Sequence, residues 1–118
     1  EYYKSIGGVL YTTEDADNSK ELVFYPPAKK GKSYKVPKGY SIGVGAFDNC
    51  KYLKKVTIPE GIKTLEQGFV NCKNITLIAP KSLKKFGYVE LENKNYGIMV
   101  NCKKFTVKAP KNSDYYLL

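Results

Sequence analysis

A short phrase, Asn-Cys-Lys, occurs three times in this chain and constrains its fold more than any other feature. The copies lie at residues 49–51, 71–73 and 101–103, and a β-like triplet ending in proline follows each cysteine by eight or nine residues. Apolar residues stand three positions before and three after each cysteine: Phe47, Phe69, Met99, Leu53, Ile75 and Phe105. A 22-residue repeat that carries its own strand, turn and apolar positions is typical of a solenoid, in which successive coils stack.

The proline-terminated triplets predict parallel strands with one buried and one exposed face. Side chains alternate along a strand, so the first and third residues of each triplet should point inward and the middle one outward. One outward row lies two residues before each proline: Phe24, Lys35, Thr57, Ile78 and Lys108. The row two residues further upstream contains Ser33, Lys55, Thr76 and Thr106. Stacked strands would merge both rows into one exposed surface, which we call the strand-face strip.

The predicted fold class is a β-rich α/β solenoid with short strands and single helical or 3-10 turns. We expect those turns at residues 45–47 and 68–70, where small residues precede a buried phenylalanine. Apolar runs at residues 6–11 and 22–25 predict a β-hairpin. We therefore expect an N-terminal hairpin module over residues 1–32, packed on repeat coils over residues 33–118. Exposed coil ends indicate a fragment of a longer array.

The third repeat is longer than the others. Pro80 and Cys102 are 22 residues apart, whereas the corresponding proline and cysteine are 13 apart in the two earlier repeats. The additional residues fall at about 88–96, between Tyr88 and Tyr96. Insertions in repeat proteins leave as loops on one face, where they contact partners or tolerate neutral change. The two tyrosines could stack on a ligand or anchor the base of the loop.

The three cysteines occupy the same phase of the repeat, which favours a structural ladder of inward-pointing thiols. We expect Cys50, Cys72 and Cys102 to behave as small buried apolar residues with weak donors. A disulfide is the alternative in an extracellular protein. A zinc site is less favoured, since three thiols and no histidine supply a tetrahedral ion poorly.

The chain contains no histidine, so Cys–His and Ser–His–Asp nucleophile arrangements cannot be built within it. The closely spaced carboxylates Glu90 and Glu92 lie in the third-repeat insertion, where no shielded pocket is predicted. No metal or cofactor motif is present. The sequence therefore predicts a protein that is not an enzyme and uses no cofactor.

The formal net charge is +9, and every one of the twenty cationic side chains is lysine. Arginine is the usual reader of phosphates and base edges, so its absence disfavours nucleic acid as a partner. The lysines form either an ordinary solvated surface or one that attracts an acidic glycan or cell-wall polymer. No apolar run approaches 18 residues, so we expect no membrane insertion in this segment.

Several of these features occur together in one known family. The segment at residues 45–53 followed by Val56-Thr57-Ile58-Pro59 resembles the BspA-like leucine-rich repeat, with its AF-x-x-C-x-x-L-x-x-V-x-I-P pattern. Gly8-Val9-Leu10-Tyr11 with residues 22–26 is similar to a hairpin that often accompanies such repeats. The resemblance implies a bacterial surface or secreted protein, with a role in adhesion for some members. Gly68, Met99 and the enlarged third repeat depart from the pattern.

Two functions follow as hypotheses. In the first, the strand-face strip and the third-repeat loop bind a protein or an acidic glycan. The candidate binding residues are Phe24, Lys35, Lys55, Thr57, Ile78, Thr106, Lys108, Tyr88 and Tyr96. In the second, the chain is a structural spacer within a larger surface protein and has no ligand of its own.

Overall fold

The fold is built from short β-strands, as the proline-terminated repeats predict. A computed structural model describes residues 2–13, 20–65, 69–86, 88–91, 94–97, 102 and 104–110. Within them the strands are β1 (Tyr3–Ile6), β2 (Val9–Thr12), β3 (Glu21–Phe24), β4 (Ser33–Lys35), β5 (Ser41–Ile42), β6 (Lys55–Thr57), β7 (Thr64–Leu65), β8 (Asn74–Ile78), β9 (Lys85–Phe86), β10 (Tyr88–Leu91), β11 (Lys94–Gly97) and β12 (Lys104–Lys108).

The main sheet has the order β12-β8-β6-β4, and all three neighbouring pairs are parallel. Each strand comes from a different repeat, so the chain leaves the sheet after one strand and re-enters beside it one repeat later. Two-residue strands on the return path form a second parallel pair, β7 with β9.

The N-terminal residues form a second four-stranded sheet with the order β1-β2-β3-β5. Strands β2 and β3 pair antiparallel, as expected for the hairpin, and β1 adds a further antiparallel strand. Strand β3 also pairs in parallel with β5, which joins the hairpin to the first repeat. The proposed boundary at residue 32 stays a prediction.

The core between the strands contains a column of aromatic rings. Phe47 and Phe69 are fully buried and stack with 4.9 Å between ring centroids and 2° between planes. Tyr25 lies on the other side of Phe47 at 5.3 Å. These three residues are 22 positions apart, so Tyr25 supplies the aromatic position of a repeat that has no cysteine. Offset aromatic contacts of this kind stabilise a core beyond the area that they bury.

The predicted helical turns are not observed. Among the described residues there is no helix of α or 3-10 type, and residues 44–49 form consecutive turns instead. Single hydrogen bonds close these turns, from Ala46 N to Gly43 O and from Asp48 N to Gly45 O. Gly45 and Asn49 have positive φ values of 75° and 64°, which interrupt any right-handed helical run. In the second predicted turn, Gly68 lies outside the described residues.

The third-repeat insertion has a regular backbone. Strands β10 and β11 form an antiparallel hairpin in which Tyr88 pairs with Gly97 and Val89 pairs with Tyr96. The insertion therefore contributes a hairpin where the sequence predicted a loop.

Candidate functional site

The register of the main sheet aligns the residues of each predicted outward row across its four strands. In one row Lys35 lies opposite Thr57, Thr57 opposite Ile78, and Ile78 opposite Lys108. In the other row the order across the strands is Ser33, Lys55, Thr76 and Thr106. Neighbouring parallel strands are about 4.8 Å apart, so each row is a continuous line of side chains.

Burial follows the expected alternation along these strands. Lys35, Lys55 and Lys108 are exposed, whereas Thr57, Thr76, Ile78 and Thr106 are half-buried. Their inward neighbours Val36, Val56, Leu77 and Val107 are buried. The four strand sequences, SYK, KVT, NITLI and KFTVK, contain no carboxylate. The strip is therefore a positively charged surface of lysine, hydroxyl and aliphatic groups.

Phe24 does not belong to this strip, and that prediction is wrong. Its side chain is 45% exposed, as an outward position requires, but it lies on β3 in the other four-stranded sheet. There Phe24 pairs with Leu10 of the hairpin. The sequence Phe24-Tyr25-Pro26 resembles the strand-ending triplets, but Phe24 pairs with β2 and Tyr25 N donates to Ala46 O at 2.8 Å, so neither residue joins the main sheet.

Tyr88 and Tyr96 lie on the hairpin formed by β10 and β11, and their side chains fall outside the described part of the chain. Their suggested roles in binding or in anchoring the insertion stay predictions.

A cleft that the sequence did not predict opens at the amino ends of β8 and β12. It has a volume of about 290 Å³ and is lined by Lys54, Asn74, Ile75, Thr76, Lys104 and Thr106. Lys54 reaches this position because the first repeat has one more residue between cysteine and proline than the later two. Both Lys54 N and Lys55 N donate to Lys32 O, at 2.7 and 3.1 Å, so two residues oppose one as in a β-bulge. In the sequence, the sign of this bulge is the spacing of nine residues from Cys50 to Pro59, compared with eight in the two later repeats.

The cysteines form a column in which each thiol donates to a carbonyl of the preceding repeat. Cys72 Sγ donates to Phe47 O and Cys102 Sγ to Phe69 O, both at 3.0 Å, and Cys50 Sγ donates to Tyr25 O at 3.8 Å. None of the three cysteines forms a disulfide; Cys50 and Cys72 are buried, and Cys102 is half-buried. The acceptors are the backbone carbonyls of the three residues of the aromatic column.

The surroundings of Cys50 and Cys102 favour the protonated thiol, whereas the hydrogen bond with Cys50 lowers the pKa of Cys72. The hydrogen bond with Cys72, together with burial, raises the pKa of Cys50 far above the ordinary value of a thiol. Burial likewise raises the pKa of Cys102. Because the thiolate is the reactive form, we assign these two cysteines a structural role.

Asparagines next to the cysteines form a second column on the surface. Asn49 and Asn71 both adopt a positive φ of 64°, and Asn71 Nδ2 donates to Asn49 Oδ1 at 2.8 Å. Asp48 Oδ1 accepts from Val70 N, and Asn49 N donates to Val70 O, both at 2.8 Å. Side-chain and backbone hydrogen bonds thus fix the vertical spacing of the first two Asn-Cys turns. The repeated asparagine was visible in the sequence, but its left-handed backbone was not predicted.

Two further observations concern the described residues alone. They contain no group of three or more His, Cys, Asp or Glu side chains arranged to hold a metal ion. In the same part of the chain, no helix is long and apolar enough to cross a membrane.

A parallel sheet to which successive repeats each contribute one strand is the arrangement of a repeat protein. The chain belongs to the BspA type leucine rich repeat family, whose model matches residues 22–112 in six copies. The match begins within the segment predicted as the hairpin module, which is consistent with Tyr25 occupying a repeat position.

The chain is also similar to the crystal structure of a leucine rich cell surface protein from Faecalibacterium prausnitzii A2-165. The sequence identity is 21%, the match covers 94% of this chain and 41% of the other, and the TM-score is 0.48. No curated protein matched the chain.

Proposed function

We propose that this chain is a non-catalytic surface or secreted leucine-rich-repeat segment that binds a protein or an acidic glycan through the strand-face strip. The observation that supports the proposal is the register of four parallel strands, which aligns exposed lysines with hydroxyl side chains and no carboxylate. Phe24 is no longer part of the proposed surface, and Tyr88 and Tyr96 stay candidate contacts on the hairpin of β10 and β11.

The shape and charge of the strip favour many shallow contacts over one deep pocket. Extended faces of repeat proteins commonly bind partners in this way. Lys35, Lys55 and Lys108 are exposed on the strip, so they should raise the rate of encounter with an acidic partner. Such steering weakens as salt screens the charges.

A charge-reversal experiment tests this proposal. The double variant Lys35→Glu/Lys108→Glu should bind an immobilised acidic glycan with an association rate lowered about tenfold, since steering contributes about 10 to 10³. The difference from the parent protein should shrink between about 50 mM and about 300 mM salt, where screening takes over. Surface plasmon resonance measures both quantities.

The matched control reverses two exposed lysines outside the strip, Lys38→Glu/Lys81→Glu, in the turns that follow Pro37 and Pro80. It changes the net charge equally and should retain most of the binding. Equal losses in both variants would show that net charge, and not the strip, is responsible.

A spacer function is the second candidate, and the regular vertical hydrogen bonds between repeats support it. We propose for either function that residues 33–118 are coils of a longer solenoid at a bacterial surface. The spacer predicts no saturable binding to glycans or proteins by the strip and no difference between the two lysine variants.

A further inference from the structure

We propose that the cleft between Lys54 and Lys104 binds a single acidic sugar unit, a ring that carries a carboxylate or a sulfate. This inference rests on the proposed function and assigns its ligand class and its location. The cleft lies at the amino ends of β8 and β12 and includes Thr76 and Thr106 from one row of the strip.

The positive charge of the cleft favours an anionic ligand. Lys54 and Lys104 are exposed, and none of the residues lining the cleft is acidic. Both lysines stand on fixed backbone: Lys54 N donates to Lys32 O at 2.7 Å, Lys54 O accepts from Thr76 N at 2.9 Å, and Lys104 N donates to Lys73 O at 3.0 Å. The bulge therefore places Lys54, directly before β6, at the cleft, and Lys104 at the start of β12 lines it as well. Lysine acts as a point charge, which suits carboxylate and sulfate alike.

The neutral groups of the cleft suit a polyhydroxylated ring. Thr76 and Thr106 lie opposite each other in the register, and Asn74 lies opposite Lys104. Each hydroxyl can donate and accept, and the amide does both, so together they match the hydroxyl groups of a sugar.

The size of the cleft and its residue types favour a sugar over a protein partner. The volume of about 290 Å³ is at the small end of ligand sites, which span about 300–1,000 Å³. Protein hot spots are enriched in tryptophan, tyrosine and arginine. None of these residue types lines the cleft.

Short, defined oligosaccharides test the cleft separately from the rest of the strip. The three probes are a galacturonate oligomer, a sulfated heparin-derived oligomer and a neutral maltose oligomer of equal length, with affinities from isothermal titration calorimetry. At least one acidic oligomer should bind, and the neutral one should bind at least tenfold more weakly. Binding of only the carboxylated or only the sulfated oligomer supports the site and identifies its anion.

Hydroxyl removal provides the decisive variants, because it leaves every charge in place. Thr76→Val/Thr106→Val should lower the affinity for the acidic oligomer at least fivefold, and Lys54→Gln/Lys104→Gln at least tenfold. The matched controls, Ser5→Ala/Ser41→Ala and Lys38→Gln/Lys81→Gln, remove the same number of hydroxyl and ammonium groups at exposed positions outside the strip, and they should change the affinity for the acidic oligomer less than twofold. Valine is favourable in strands, and circular dichroism verifies folding.

Three results would overturn the proposal. They are equal binding of neutral and acidic oligomers, no binding of either acidic oligomer, and unchanged affinity in both cleft variants. If the parent protein still bound the acidic polymer and Lys35→Glu/Lys108→Glu still lowered its association rate, the strip would survive as the binding surface and only the cleft would be rejected.

Discussion

At the scale of single residues, the cysteines show how one side chain satisfies two demands of a stacked repeat. Cys72 is fully buried, so it must pack as an apolar group, yet the carbonyl of Phe47 beside it needs a donor. A thiol meets both demands because it is small, mostly apolar and a weak donor. The phase of the repeat was enough to predict that Cys72 points inward. Its carbonyl acceptor could not be predicted, since that depends on how far one repeat shifts against the next.

Replacement of Cys72 by alanine measures how much its hydrogen bond to Phe47 O contributes to stability. Cys72→Ala removes the donor from a site with no solvent exposure and should lower the free energy of unfolding by about 1–3 kcal/mol, the usual cost of an unmet buried polar group. Cys102→Ala removes an equivalent hydrogen bond at a half-buried site, so water can replace part of it and the cost should be smaller. Urea titration of both variants gives the comparison. Equal losses, or no loss at Cys72, would contradict this role.

At the scale of elements, turns and bulges depart furthest from the sequence prediction. Small residues before Phe47 suggested a helical turn, but positive φ values at Gly45 and Asn49 direct the chain into separate turns. Propensity alone does not reveal such values, because asparagine adopts both hands of backbone. Two-residue strands such as β5, β7 and β9 are too short to show alternation. The longer strands were predictable, since proline ends each triplet and alternation fixes the inward face.

Asn71 tests the claim that backbone handedness shapes the turn. Asn71→Gly and Asn71→Ala both lose the 2.8 Å hydrogen bond to Asn49, so any difference between them reports the backbone alone. With φ at 64°, alanine should be less stable than glycine by about 1–2 kcal/mol. Thermal or urea unfolding resolves that gap. Equal stability of the two variants would show that the turn does not need a left-handed residue.

At the scale of the whole molecule, function depends on the register of the parallel sheet. That register unites residues 20 to 30 positions apart in sequence, and the rows predicted from Lys35 to Lys108 coincide with the observed pairs. The prediction that Phe24 lies on the strand-face strip was wrong because a local sequence pattern does not show which sheet a strand joins. The cleft could not be predicted, because the extra residue before Lys55 shows in the sequence only as a longer spacing from Cys50 to Pro59, whereas its effect, to place Lys54 beside β8, depends on the fold.

Disulfide trapping across β6 and β8 measures this register most directly. Thr57 and Ile78 are direct neighbours, and adjacent parallel strands place Cα atoms at a separation that a disulfide can bridge. Thr57→Cys/Ile78→Cys should therefore cross-link on mild oxidation of the folded protein, as detected by mass spectrometry. Lys55→Cys/Ile78→Cys is offset by two residues and should remain reduced. Cross-linking of the offset pair in place of the direct pair would contradict the register and, with it, the strand-face strip.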